Sequence, residues 1–173
     1  LVLLNGAPGV GKSTAAAALA QSVPHMSVLD LDAIKHALPS WTTDPQEAGL
    51  EARRVAAAEI TRLLSQGSDV VLGQYLARPD FIEELEALAT RSGATFVEVI
   101  MELDAPALAT RLARRSEIST RPEHVINNTL VGPTDAEGLV ASIQALRAVR
   151  PNAKWIASDS LETTLVDIRA LLT

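Results

Sequence analysis

Short apolar runs alternate with longer amphipathic or alanine-rich stretches from one end of the chain to the other. Leu1-Val2-Leu3-Leu4 is apolar without a break and stops at Asn5-Gly6, the pattern of a strand buried on both faces. Ser13 to Gln21 is rich in alanine and predicts a helix. Met26 to Leu31 predicts a second strand, and Asp32 to Leu38 a short helix stopped by Pro39. Ser40 to Gly49 mixes Pro, Gly, Thr and Asp and predicts a loop. Leu50 to Gln66 predicts a long amphipathic helix closed by Gly67. A third strand follows over Asp69 to Gln74, then a helix over Pro79 to Ser92 closed by Gly93, then a β-branched fourth strand over Ala94 to Leu103. Asp104 is expected to cap a helix from Ala105 to about Arg115, with Pro106 tolerated in its first turn. Thr134-Asp135-Ala136-Glu137 reads as a capping box before a helix running to Val149. Ala153 to Ala157 predicts the fifth strand and Leu161 to Leu172 the last helix.

Strands that alternate with helices throughout predict an α/β domain with a parallel sheet and helices on both faces. Ligands in such a sheet sit at the carboxyl ends of the strands. The polar residues there are Asn5 to Thr14, Asp30 and Asp32, Gln74 to Arg78, Glu102 and Asp104, and Ser158 to Ser160.

Bulk properties narrow the chemistry. The 173 residues fit a single domain, 1–173, long enough to bury a core without covalent staples. Cysteine is absent, which excludes disulfides, thiolate metal sites and cysteine nucleophiles and suits a reducing compartment. A net charge of −6 argues against a general nucleic-acid surface. No apolar stretch approaches a membrane span, and no basic segment precedes the first apolar run, so a cytoplasmic protein without a membrane partner is expected, as monomer or homodimer. Leu1 already lies within the first strand, so one or two further residues are expected before it. The basic residues are 12 Arg and only 3 Lys, so a lysine inside a glycine-rich turn stands out.

That turn is Gly6-Ala7-Pro8-Gly9-Val10-Gly11-Lys12-Ser13, followed by Thr14. Glycines let the backbone curl until several N–H groups face one oxyanion, and the helix behind presents its positive end. The spacing assigns Lys12 to the β- and γ-phosphates of a nucleoside triphosphate and the Ser13 hydroxyl to Mg²⁺. It arises by chance in roughly 1% of chains of this size. Here it also follows a strand and opens a helix, the context the motif requires.

Asp30 and Asp32 close the second strand two residues apart, which places them on one side of an extended chain. Asp30 is assigned to Mg²⁺ and Asp32 to orienting and deprotonating an acceptor hydroxyl; the two roles can also be exchanged or shared. The plainer alternative is that Asp32 only caps the helix from Ala33. Arg111, Arg114, Arg115 and Arg121 fall close together, and guanidinium groups suit both the charge of a transferring phosphoryl group and an adenine face. Arg111 and Arg115 are assigned to the nucleotide and Arg121 to catalysis, within a lid at roughly 114–123. Favourable charge at a helix C-terminus accounts for Arg114 and is an alternative for Arg111.

Together these residues resemble the small P-loop kinases: shikimate kinase, gluconate kinase, chloramphenicol phosphotransferase and their relatives. Asp30-Leu31-Asp32 is similar to the shikimate kinase stretch whose first Asp serves the metal and whose second binds the acceptor. Asp32 before Ala37-Leu38-Pro39 is similar to the surroundings of the catalytic Asp in chloramphenicol phosphotransferase. Arg115 matches the arginine that packs on adenine, Arg121-Pro122 resembles a lid pair, and Ala157-Ser158-Asp159-Ser160 stands where relatives turn beside the base. The resemblance implies the P-loop NTPase fold with strand order 2-3-1-4-5, ATP, Mg²⁺, a moving lid and transfer of the γ-phosphoryl group to a hydroxyl. The third strand departs from the shikimate kinase pattern, with Gly73-Gln74-Tyr75-Leu76-Ala77-Arg78 and no terminal Asp.

The acceptor is expected to be a small molecule such as a metabolite, sugar or antibiotic. Arg78 and Trp41 are the further substrate candidates, against loop anchoring and packing respectively, and Glu123 to Arg150 is expected to roof the pocket. His25, His36 and His124 lack metal-ligand spacing. A nucleoside or nucleotide kinase, an NTP hydrolase and a nucleotide-binding module without catalysis remain open alternatives.

Overall fold

The apolar runs assemble into one parallel sheet in the order β2-β3-β1-β4-β5. The computed structural model describes residues 1–118 and 131–172. In chain order its elements are β1 (Val2–Asn5), α1 (Lys12–Ser22), β2 (Met26–Leu29), α2 (Leu31–Ala37), α3 (Pro45–Ser65), β3 (Asp69–Gln74), α4 (Asp80–Arg91), β4 (Val97–Glu102), α5 (Ala105–Ile118), α6 (Ala136–Gln144), α7 (Leu146–Val149), β5 (Lys154–Ala157) and α8 (Leu161–Ala170). Short 3₁₀ turns cover Pro39–Thr42 and Pro133–Asp135. Among the described residues no helix is long and apolar enough to cross a membrane.

The strands need no polar face because both faces are covered. Leu1, Leu3, Val70, Leu72 and Ile100 pack against Ala52, Ala56 and Ile60 of α3 and Phe81, Ile82 and Leu85 of α4. Val2, Leu4, Val71, Val99 and Met101 point the other way, onto Ala15, Ala16 and Leu19 of α1 and Ile168 of α8. From β1 the sheet grows outward through β3 on one side and β4 on the other, so the loop after β1 opens at the topological switch point.

Four element boundaries differ from expectation. α3 begins at Pro45 rather than Leu50, because Asp44 caps it by accepting from the Glu47 N–H at 3.0 Å. Pro45 sits where its missing N–H goes unused. β2 stops at Leu29, and Asp30 is the cap of α2 rather than the end of a strand. β4 is shorter than expected at its start. The capping box at Thr134 does not form: Gly132 N–H donates to Asp135 Oδ2 instead, and the helix behind it breaks at Ala145.

One buried side chain joins the ends of the two central strands. Asn5 is fully buried, with Oδ1 accepting from Gly6 N–H at 2.8 Å and from Leu76 N–H at 2.9 Å. Its Nδ2 donates to Leu76 O at 2.9 Å. The amide thereby satisfies three backbone groups that no ladder reaches. Asn5→Ala leaves all three unpartnered and is expected to lower stability by about 2–4 kcal/mol. Denaturant unfolding of the variant, with an unchanged m-value, measures this. Asn5→Asp keeps both acceptor bonds but turns an oxygen toward Leu76 O, and is expected to be destabilised as well.

Candidate functional site

The chain leaves β1 through backbone that only glycine takes readily. Gly6 has φ +153°, and a Cβ there would lie 2.6 Å from Met101 O. Gly11, at φ +107°, is the residue from which α1 starts. No side chain caps α1 and its first turn holds no acid, so its leading N–H groups have no partner from the helix itself. Lys12 folds back, with Nζ donating to Gly6 O at 2.8 Å and Ala7 O at 2.9 Å. Gly73, on β3, lets α1 start close to the sheet, since a Cβ there would meet Lys12 Cβ at 3.3 Å.

A cavity of about 400 Å³ opens over this turn. It brings together Pro8, Gly9, Gly11, Lys12, Ser13, Thr14, Asp30, Asp32 and Arg115, all expected at the site. Gly73, Gln74, Tyr75 and Val131 complete its wall. Ala7 and Val10 are buried beneath the loop and shape it from below. Both acids reach the cavity, although not as two residues of one strand. Asp30 accepts from Ala33 N–H at 3.0 Å through Oδ1 as the α2 cap, and Asp32 stands in the first turn of that helix. A carboxylate is favourable there in its own right.

Three assigned residues lie elsewhere. Arg111 faces the back of the loop, donating to Val10 O at 2.9 Å, Ser158 O at 2.6 Å and Asp159 O at 2.9 Å. Trp41 packs edge-on against His36, with ring centroids 4.3 Å apart, and is not part of the cavity wall. Arg78 is exposed and outside the wall, while its neighbours Gln74 and Tyr75 form part of it. Arg121, Pro122 and His124 lie outside the described residues, as does the second half of the expected lid, 119–123. Of the expected roof, Val131 lines the cavity and Ser142 shares a 2.9 Å hydrogen bond with the Tyr75 hydroxyl, whereas Ile143 and Leu146 belong to the core.

The charges are arranged around Lys12. Burial pushes its amine down to about 7; Asp32 opposes that fall and Arg115 adds to it. Burial likewise lowers Arg115, again against the pull of Asp32. Lys12, Arg115 and Asp32 are thus within electrostatic reach of one another over the open cavity. Among the described residues no cluster of three or more His, Cys, Asp or Glu side chains forms a metal cage. A Ser13 hydroxyl and one Asp carboxylate remain as the donor set, the sparse oxygen set that suits Mg²⁺ with retained waters.

Comparison with known proteins agrees with this architecture. A family model described as an AAA domain matches residues 1–131. No curated protein matches the sequence. The fold is similar to that of a gluconokinase from Sinorhizobium meliloti 1021, at TM-score 0.62 and 17% identity over 95% of this chain and 86% of that one. It is similar to a Deinococcus radiodurans tunicamycin resistance protein, at TM-score 0.67 and 13% identity over 99% and 94%. A shikimate kinase from Bacteroides thetaiotaomicron gives TM-score 0.64 and 18% identity over 99% and 97%.

The lowered amine has a thermodynamic consequence. Between pH 7 and 10.5 the unfolded chain holds a proton on Lys12 that the folded chain has released, so this group makes stability rise with pH across that window. A polyphosphate in the loop favours the charged amine and draws the proton back. Binding of a nucleoside triphosphate at pH 8 is therefore expected to take up a substantial fraction of one proton. Calorimetry in buffers of different ionisation enthalpy reads it, and Lys12→Met should abolish it.

Proposed function

The chain belongs to the AAA-domain family and has the α/β P-loop NTPase fold, and from that premise we propose that it is an ATP-dependent phosphotransferase. Its reaction moves the γ-phosphoryl group of ATP to a hydroxyl of a small molecule. The observation that carries this reading is the position of Asp32. It shares one cavity with Lys12 and Arg115, and it comes from the element after β2, across from the phosphate loop. A site that only binds a metal–nucleotide needs one carboxylate for the metal; a second beside Lys12 suits an acceptor hydroxyl.

The loop amides and the start of α1 hold the phosphates. Ser13 and Asp30 would hold Mg²⁺, which when bound would supply neutralising charge to the phosphate oxygens. Asp32 accepts the proton of the acceptor hydroxyl as its oxygen forms a bond to the γ-phosphorus. The bond from that phosphorus to the β–γ bridging oxygen breaks, and ADP departs with the electron pair. Lys12, recharged by the polyphosphate, and Arg115 stabilise the oxygens of the group in flight. Gln74 and Tyr75, with an amide and a phenol on the wall, are suited to orienting a hydroxylated acceptor. Arg121, outside the described residues, is assigned to catalysis in this reading for its charge alone.

ADP release over a panel of hydroxylated metabolites and antibiotics identifies the acceptor. With it, Asp32→Asn is expected to lower kcat by about 10²–10⁴-fold with little change in the KM for ATP. Near-normal turnover in that variant would remove Asp32 as the base. Lys12→Ala is expected to lose ATP affinity. Rapid hydrolysis without any acceptor would instead mark a hydrolase, and tight ATP binding with no transfer to any compound a binding module.

A further inference from the structure

Behind the phosphate loop, one carbonyl is held unusually firmly. Val10 O accepts from Arg111 Nη1 at 2.9 Å and from the Ser158 hydroxyl at 2.8 Å, which engages both of its lone pairs. Neither donor is free to wander. Ser158 is buried, and its own N–H donates to Glu102 O at 2.8 Å at the end of β4. Arg111 Nη2 is bonded to Ser158 O and Asp159 O, so α5, the turn after β5 and the phosphate loop meet at this point.

The peptide plane transmits that hold. All described peptide bonds are trans, so the Val10 C=O and the Gly11 N–H point in opposite directions from their shared plane. With the carbonyl turned back toward α5 and the β5 turn, the Gly11 N–H is turned to the cavity, whose wall includes Gly11. Gly11 would resist rotation of this plane less than any other residue, because without a Cβ it populates φ values of either sign. Its φ of +107° therefore needs holding from outside.

We infer that Arg111 and Ser158 are positioning residues: they clamp the Val10–Gly11 peptide so that its N–H addresses the nucleotide phosphates, and Arg111 does not itself bind the nucleotide. This rests on the nucleotide reading of the loop but not on any acceptor. It differs from direct recognition of the base in which ligands should suffer. In Ser158→Ala and in Arg111→Lys, the affinity for ADP is expected to fall about tenfold while that for adenosine changes by less than about twofold. Lysine keeps the charge but has no fork to span three carbonyls.

Competition against a fluorescent nucleotide measures both affinities, and thermal unfolding establishes that each variant is folded. A second readout does not depend on affinity. In ¹⁵N-labelled wild-type protein the Gly11 amide proton is expected to move downfield on adding ADP, and in Ser158→Ala to move less than half as far. Equal losses for adenosine and ADP would make Arg111 a nucleoside contact and overturn the inference. So would unchanged ADP affinity in both folded variants. Wild-type protein that binds no ADP overturns the nucleotide reading itself, and this inference with it.

Discussion

The carboxamide of Asn5 is the interaction on which the geometry of the site depends. It lies where the central strand ends and the chain must reverse in the protein interior, without water to satisfy its backbone. By bonding Gly6 N–H and both backbone groups of Leu76, it ties the first residue of the phosphate loop to the exit of β3. The β1–β3 ladder pairs Asn5 with Gln74, and this side chain extends the tie beyond the last rung to the loop and Leu76. The rest of the wall is then anchored outward, from Tyr75 to Ser142 on α6 and from Val10 to Ser158 beyond β5.

A second constraint is electrostatic. Pro8 to Thr14 concentrate N–H groups and one amine in a small volume, and α1 supplies no acid to offset them. The acids come from the opposite wall, on α2. The separation suits a reaction in which one side must hold anionic oxygens and the other must take a proton. Were Asp32 placed on α1, it would compete with phosphate for the same donors.

Much of this was legible in the chain because the central strands are buried on both faces and therefore near-unbroken runs, and because the phosphate loop has a spacing dictated by backbone geometry. Asp30 and Asp32 were identifiable as residues, but alternation along a strand was the wrong reason: the helix begins one residue after Asp30. The start of α3 was hidden by Pro45 and Gly49, which signal loops on average, although Asp44 and Glu47 around Pro45 held the capping signal. Arg111 was indistinguishable from Arg115 in the sequence. Four helical positions bring a side chain back to nearly the same face, yet one reaches carbonyls behind the loop and the other the cavity. Ser158 was marked by resemblance as part of a turn beside the base, but its bond to Val10, like that of Tyr75 to Ser142, joins partners far apart in the chain and leaves no local signal.

The amine of Lys12 is set against two carbonyls, and a neutral amine has two hydrogens to give them. The third position is then a lone pair rather than an N–H. Burial brings the pKa to about 7, so near neutral pH a share of the resting molecules carries a neutral, nucleophilic nitrogen here, where an ordinary lysine is a cation. A bound polyphosphate, by restoring the proton, would turn the same atom from a nucleophile into a cationic clamp. The ligand of the loop would thereby mask the one amine that its absence leaves partly uncharged.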